Sequence, residues 1–272
     1  MSGPSTPYDP PSGPIPVIHQ DEHLLVVDKP EGLLSVPGRG PHLADCLLSR
    51  LAETHPEVLL CHRLDRDTSG IMVFALTKEG QRKMGRMFEV KRVKKRYAAQ
   101  VHGEVSEPAG VIDLPLIVDW PNRPLQHVNH ETGKKAVTDW QRIGVADGVT
   151  RMRLMPRTGR SHQLRVHMLS LGHPILGDPF YSDDAEAFPR MMLHAEGLKF
   201  EHPVSGQMMR LEASCPFRGT SYRRNTLVCT VAIRQIHTPI PVSGIVCRAH
   251  LCFVYILEKE SHHEPAHQPD RP

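Results

Sequence analysis

The sequence predicts an α+β protein built on a mixed, mostly antiparallel sheet. Three observations carry this. Short β-prone runs outnumber segments of helical period, and turn residues rather than helices join most of those runs. One run, IMVFAL (71–76), is continuously apolar, as a strand buried on both faces would be.

The elements follow in chain order. Residues 1–15 are rich in Pro, Ser and Gly and are expected to form a disordered lead-in. Over 16–38 short strands alternate with turns, of which Asp28-Lys29-Pro30-Glu31-Gly32 is the clearest. Leu43, Leu47, Leu48 and Leu51 recur at helical spacing, which predicts a helix over 42–55 stopped by Pro56. Residues 78–90 read as a basic helix with Met84, Met87 and Phe88 turned inward as core. Strands are expected at 96–103, 110–118, 135–144 and 150–156. Ser161 is the expected cap of a helix running to Ser170, with Gly172 and Pro174 ending it. Residues 191–200 and 208–214 supply the closing strands. Residues 16–217 thus form one domain, and 218–272 form an atypical tail expected to pack poorly.

Composition narrows the class. With 39% hydrophobic and 23% charged residues, the 272-residue chain reads as globular rather than disordered. No run of eighteen apolar residues occurs, and the first residues lack the basic-then-apolar order of a secretory signal. A cytoplasmic monomer is expected. Six cysteines without regular spacing read as free thiols. Cys247, His250 and Cys252 lack the second cysteine pair of a zinc site, so no metal is expected.

Charge is more telling by region than in total. The formal +3 resides in residues 218–272, which hold seven basic side chains against four acidic; the remainder holds 26 of each. Yet residues 78–97 carry nine basic side chains against two glutamates, and residues 148–177 carry five arginines and no acid. Two local positive surfaces on a neutral body point to a polyanionic partner.

Three segments carry the chemistry. In CHRLDRDTSGIMVFA (61–75), Asp65 lies between Arg63 and Arg66 on a Gly-ended loop at the mouth of the buried strand. A carboxylate flanked by two guanidinium groups is expected to stay ionised, which suits a nucleophile rather than a general acid. In PRTGRSHQLRVH (156–167), Thr158 to Ser161 open a helix whose free N–H groups could receive a phosphate, with Arg160, His162 and Arg165 close behind. In KKRYAAQVHG (94–103), Lys95 and Arg96 deliver Tyr97, an aromatic able to stack on a base.

Together and in this order, these motifs resemble the RluA-type pseudouridine synthases. His62-Arg63-Leu64-Asp65 with Thr68-Ser69-Gly70 matches that family's central motif. Lys95, Tyr97 and Gly103 match its second; Thr158-Gly159-Arg160, His162 to Arg165, His167, Gly172 to Ile175, Gly177-Asp178 and Tyr181 match its third. Leu193-His194-Ala195, Leu198 and His202-Pro203 match its closing pattern, so the resemblance spans roughly 15–217. It implies a pseudouridine-synthase-like catalytic domain that isomerises uridine to pseudouridine in structured RNA, a 23S rRNA stem-loop, a tRNA anticodon loop or both. No cofactor, metal or redox step is implied. It further implies that Asp65 is the catalytic carboxylate, Arg165 its charge partner and Tyr97 the stacking aromatic. Arg63 would enter the gap left by a flipped uridine, and His62, Lys95, Arg96, Arg160 and His162 would contact RNA.

Two other readings are weaker. A glycoside hydrolase could use Asp65 and Asp67 as paired carboxylates, but its cleft would be lined with aromatics, and only 5% of residues here are aromatic. A non-catalytic RNA-binding protein would have no need of Asp65, Tyr97 and Arg165 together.

Overall fold

A computed structural model of the chain describes residues 8–217; the predicted tail and its Cys247–His250–Cys252 group lie outside the described residues. Twelve strands and three α-helices are present in this range: β1 Val17–Gln20, β2 Leu24–Lys29, α1 Leu47–Ala52, β3 Leu59–Leu60, β4 Ser69–Ala75, α2 Lys78–Glu89, β5 Lys94–His102 and β6 Ala109–Asp113. They continue with β7 Leu116–Val118, β8 Gln126–Val128, β9 Val137–Ala146, β10 Val149–Pro156, α3 Gln163–Ser170, β11 Leu193–Glu201 and β12 Met208–Glu212. This is an α+β fold, as the predominance of short strands predicts.

Ten strands form one sheet in the order β1-β2-β4-β11-β5-β10-β9-β6, with β12 added to β11 and β3 to β4; β7 and β8 make a separate hairpin. Every pairing but one is antiparallel. The exception joins β4 to β11 in parallel through two positions, His194 opposite Ser69 and Ala195 opposite Gly70. Beyond these, β3 takes the far end of β4 and β12 takes the far end of β11. The sheet therefore consists of two antiparallel halves meeting at a short seam.

Two hydrophobic clusters form the core, and the first reaches across the seam to Ala195, Leu198 and Phe200 of β11. Leu24 to Val27, Ile71 to Phe74, Leu47 and Met84 fill the first, and Val101, Met152, Leu154, Leu164, Met168 and Ile175 fill the second. Strand β4 is buried at every position, which is why no alternation shows in its apolar run from Ile71 to Ala75. Helix α2 is capped by the Thr77 side chain, which accepts from the Gly80 N–H at 3.1 Å.

Four local expectations change. The 42–55 helix is confined to Leu47–Ala52, because Cys46 caps it by accepting from the Ser49 N–H. The 110–118 strand breaks into β6 and β7 around Pro115, which has no N–H to give a ladder. Helix α3 is capped not by Ser161 but by His162, in the left-handed region at φ 52°. Residues 8–15, expected as disordered lead-in, are seated on the body. The Tyr8 hydroxyl donates to the Asp45 carbonyl at 2.9 Å, and Arg50 donates to the Pro11 carbonyl at 2.7 Å.

Candidate active site

The loop that carries Asp65 runs from Cys61 to Thr68 into β4, and it is fixed at both edges. Ser35 Oγ donates to the Leu64 carbonyl at 2.7 Å and accepts from the Leu64 N–H at 3.1 Å. Lys29, fully buried, donates from Nζ to the carbonyls of Pro30, Leu33 and Arg66 at 2.8, 2.6 and 2.9 Å. Burial lowers this ammonium from its usual range to about 7, against the pull of Asp67, Asp65 and Glu31. At the loop's end Gly70 has φ +115°, and a Cβ there would collide with the Ala195 backbone at the seam. Only glycine permits this crossing.

A cavity of about 550 Å³ opens above the seam. Its walls include Asp65, Arg63, His62, Lys95, Tyr97, Arg160, His162 and Arg165. Volume and lining are those of a ligand site rather than a packing fault. The structure thus brings together every candidate residue named from the sequence except Arg96. Strand alternation sends Arg96 to the other face of β5, where its guanidinium is held by Glu196 and Glu212, each at 2.7 Å.

Neither sequence neighbour serves as the partner of Asp65. Arg66 pairs with Asp67 at 2.7 Å, and Arg63 is exposed at the cavity rim. The charge beside Asp65 comes instead from Arg165 on α3, whose Nη1 lies 3.6 Å from Asp65 Oδ2. Arg165 is only 1% exposed, while the Asp65 side chain remains 31% exposed to the cavity. What allows an arginine to be so deeply buried is Asp178, itself 0% exposed, which takes Nε and Nη2 at 2.7 and 2.6 Å. The rings of Phe180 and Tyr181 flank the guanidinium, with centroids 5.2 and 5.1 Å away. Burial opposes the charge on Arg165, but Asp178 and then Asp65 outweigh it and raise its pKa.

The remaining wall residues are tuned mainly by burial. Tyr97 is pushed above the ordinary phenol range by burial and then by the charge of Asp65, so it is a neutral O–H bearer. Burial takes His62 down to about 3, with Lys95 adding to the effect. Its Nε2 accepts from the Val73 N–H at 3.0 Å and its ring lies 4.7 Å from that of Phe88. The ring is neutral and braces the loop against β4 and α2, so the expected contact of His62 with RNA is one made without charge. Burial likewise lowers Lys95 to about 8, and its Nζ donates to the Thr158 carbonyl at 2.9 Å. His162 Nδ1 and the Tyr181 hydroxyl are 2.8 Å apart, and that hydroxyl also accepts from the Gln126 N–H on β8.

One N–H of the expected phosphate cradle at the start of α3, that of Arg160, is already taken. The Gln163 side chain folds back, accepting from the Arg160 N–H at 3.0 Å and from Thr158 Oγ1 at 2.7 Å. Arg160 itself is exposed. Sequence reasoning matched Asp178 and Tyr181 to the family's third motif without giving either a role, and gave none to Phe180 or Lys29. A signal for Asp178 existed, since it is the first acid after thirty residues holding five arginines.

Comparison with known proteins gives the family. The sequence model of the family described as RNA pseudouridylate synthase matches residues 23–170. Dual-specificity RNA pseudouridine synthase RluA of Escherichia coli (strain K12) is 50% identical over 214 residues, 77% of this chain and 98% of that protein. The protein of the same name from Yersinia pestis is 50% identical over 204 residues, 74% of this chain and 99% of that one. Among solved structures, Human RNA Pseudouridylate Synthase Domain Containing 1 aligns with a TM-score of 0.63 at 29% identity, over 79% of this chain and 86% of that one. With sequence and fold in agreement, this chain belongs to the RNA pseudouridylate synthase family and is an RNA pseudouridine synthase, an isomerase converting uridine in RNA to pseudouridine.

Proposed function

We propose that Asp65 is the carboxylate that acts on the uridine, that Tyr97 stacks on the base, and that Arg165 sets the charge and orientation of Asp65. The observation that carries this is the meeting of three chain-distant side chains in one cavity: Asp65 from the loop before β4, Tyr97 from β5 and Arg165 from α3. The reaction breaks the N1–C1′ bond, turns the base and forms a C5–C1′ bond. The C5 hydrogen leaves to solvent and N1 ends protonated, so the atoms balance without oxidant, metal or cofactor. A neutral Tyr97 has a face to hold the turning base and an O–H to pass or receive a proton.

A uridine stacked in a stem-loop must first leave the stack, at a cost of a few kcal/mol. Arg63, exposed at the rim, is the side chain able to enter the gap. Arg160, Lys95 and His162 line the path of the backbone, and the charges of Arg160 and Lys95 make affinity sensitive to salt. We assign both a 23S rRNA stem-loop and a tRNA anticodon loop as substrates; relatives named dual-specificity support two kinds of RNA. The enzyme acts as a monomer in the cytoplasm in this reading. Among the described residues no helix is long and apolar enough to cross a membrane.

The test is release of tritium from uridine-C5-tritiated RNA. Wild-type protein is expected to release it from an anticodon stem-loop and from a 23S stem-loop, and Asp65→Ala from neither. Undiminished release by that variant would remove Asp65 from the chemistry.

A further inference from the structure

On the face of the sheet opposite Tyr97, three cations stand in register across three neighbouring strands. Lys199 of β11 is paired directly with Lys94 of β5 on one side and with Arg210 of β12 on the other. All three are exposed, and among the described residues none makes an ion pair. Like charges directly opposite each other weaken a sheet. Adjacent strands are about 4.8 Å apart, so this row concentrates three positive charges within roughly 10 Å.

The neighbouring carboxylates do not relieve it. Glu212 is bound to Arg96 and Asp139 to Arg157, while Glu201, two residues along β11, forms no ion pair with the row. A row that costs stability and is left without counter-charge among the described residues is explained by a partner that supplies the charge.

The row lines a groove of about 780 Å³, and that groove shares its rim with the catalytic cavity: Lys91, Val93, Lys95, Pro156, Arg157 and Thr158 border both. At this rim Lys95 turns to the cavity and Lys94, its neighbour, to the row. Because an RNA pseudouridine synthase already holds an RNA in the cavity, its backbone is the polyanion with the shortest way to the row. We infer that Lys94, Lys199 and Arg210 form a second RNA-backbone docking surface, on which the strand leaving the catalytic cavity is seated. This rests on the proposed placement of the target uridine in the cavity.

The experiment compares wild type with a triple variant, Lys94→Gln with Lys199→Gln and Arg210→Gln, using an unmodified tRNA transcript. Filter binding over a salt series gives Kd, and a thermal melt reports the fold. The variant is expected to melt at or above the wild-type temperature, because the repulsion is gone. Its Kd is expected to weaken roughly tenfold, and its dependence on log salt to become shallower by about 2, the amount for three lost phosphate contacts. Unchanged Kd and salt slope would overturn the docking surface, and a lower melting temperature would overturn the account of the row as unrelieved repulsion. Failure of wild type to release tritium from both this transcript and a 23S stem-loop would instead defeat the underlying functional reading.

Discussion

Arg165 gives the forked edge of its guanidinium to Asp178, at 2.6 and 2.7 Å, and faces Asp65 with Nη1 alone, 3.6 Å away. The strong contact is thus the structural one, and the one proposed to serve catalysis is looser. An arginine pinned from behind presents a fixed charge to a carboxylate that stays open to substrate.

Asp178→Asn tests that division of labour. It keeps the shape and removes the buried counter-charge, so a loss of about 3 kcal/mol in unfolding free energy is expected from urea denaturation. Misalignment of Arg165 should also lower turnover by about a hundredfold in the tritium assay. Turnover near wild type in the folded variant would show that Asp178 does not orient Arg165.

Lys29→Met removes the single donor group shared by three carbonyls. Each abandoned carbonyl costs about 1–3 kcal/mol, offset in part by relief of the buried charge. The net expectation is a lower melting temperature. Because the Arg66 carbonyl sits one residue after Asp65, kcat should fall while KM stays close to wild type. A rise in KM alone would place Lys29 in RNA binding instead.

Lys95 sets an alkaline limit on RNA binding. With its ammonium lowered to about 8, the positive charge is present below that pH and lost as pH rises through it. Kd measured from pH 6.5 to 9 should weaken above about pH 8, and Lys95→Met should abolish the bend. A bend that persists in the variant would belong to another group.

Asp21 provides an acid-sensitive clasp. Burial would raise its pKa, but His19 at 2.7 Å, the N–H groups of His23 and Leu24, and His202 at 3.2 Å together bring it to about 2. Its contribution is therefore complete above the ordinary aspartate value and is lost as pH falls toward 2. Asp21→Asn should lower the melting temperature at neutral pH and flatten its decline between about pH 4 and 2. Parallel acid melts of the two proteins measure both.

Much of this was legible in the sequence because it is written in local pattern. The apolar 71–76 run, the helical period of 78–90 and the Gly-ended loop at Asp65 all describe neighbours in the chain. The partner of Asp65 was foreseen only through the family resemblance, since nothing local links residue 65 to 165. Asp178 escaped because a buried pair is a tertiary fact, although the acid-free stretch before it was a hint. Arg96 was grouped with Lys95 and Tyr97 by proximity along the chain, whereas strand alternation would have sent it to the opposite face. The cap of α3 was misread because His162 adopts a left-handed backbone that its residue type does not announce.

The parallel seam between β4 and β11 has a consequence for how this enzyme fails. Asp65 is anchored to one antiparallel half of the sheet, Tyr97 and Arg165 to the other, and two register positions join the halves directly. The first hydrophobic cluster crosses the seam, with Ala195, Leu198 and Phe200 of β11 packed among Ile71 to Phe74, so parting the halves means opening that core. Heat or mild denaturant will therefore remove activity and fold together, and amide exchange at Ser69, Gly70, His194 and Ala195 will be as slow as in the middle of β2 and β10.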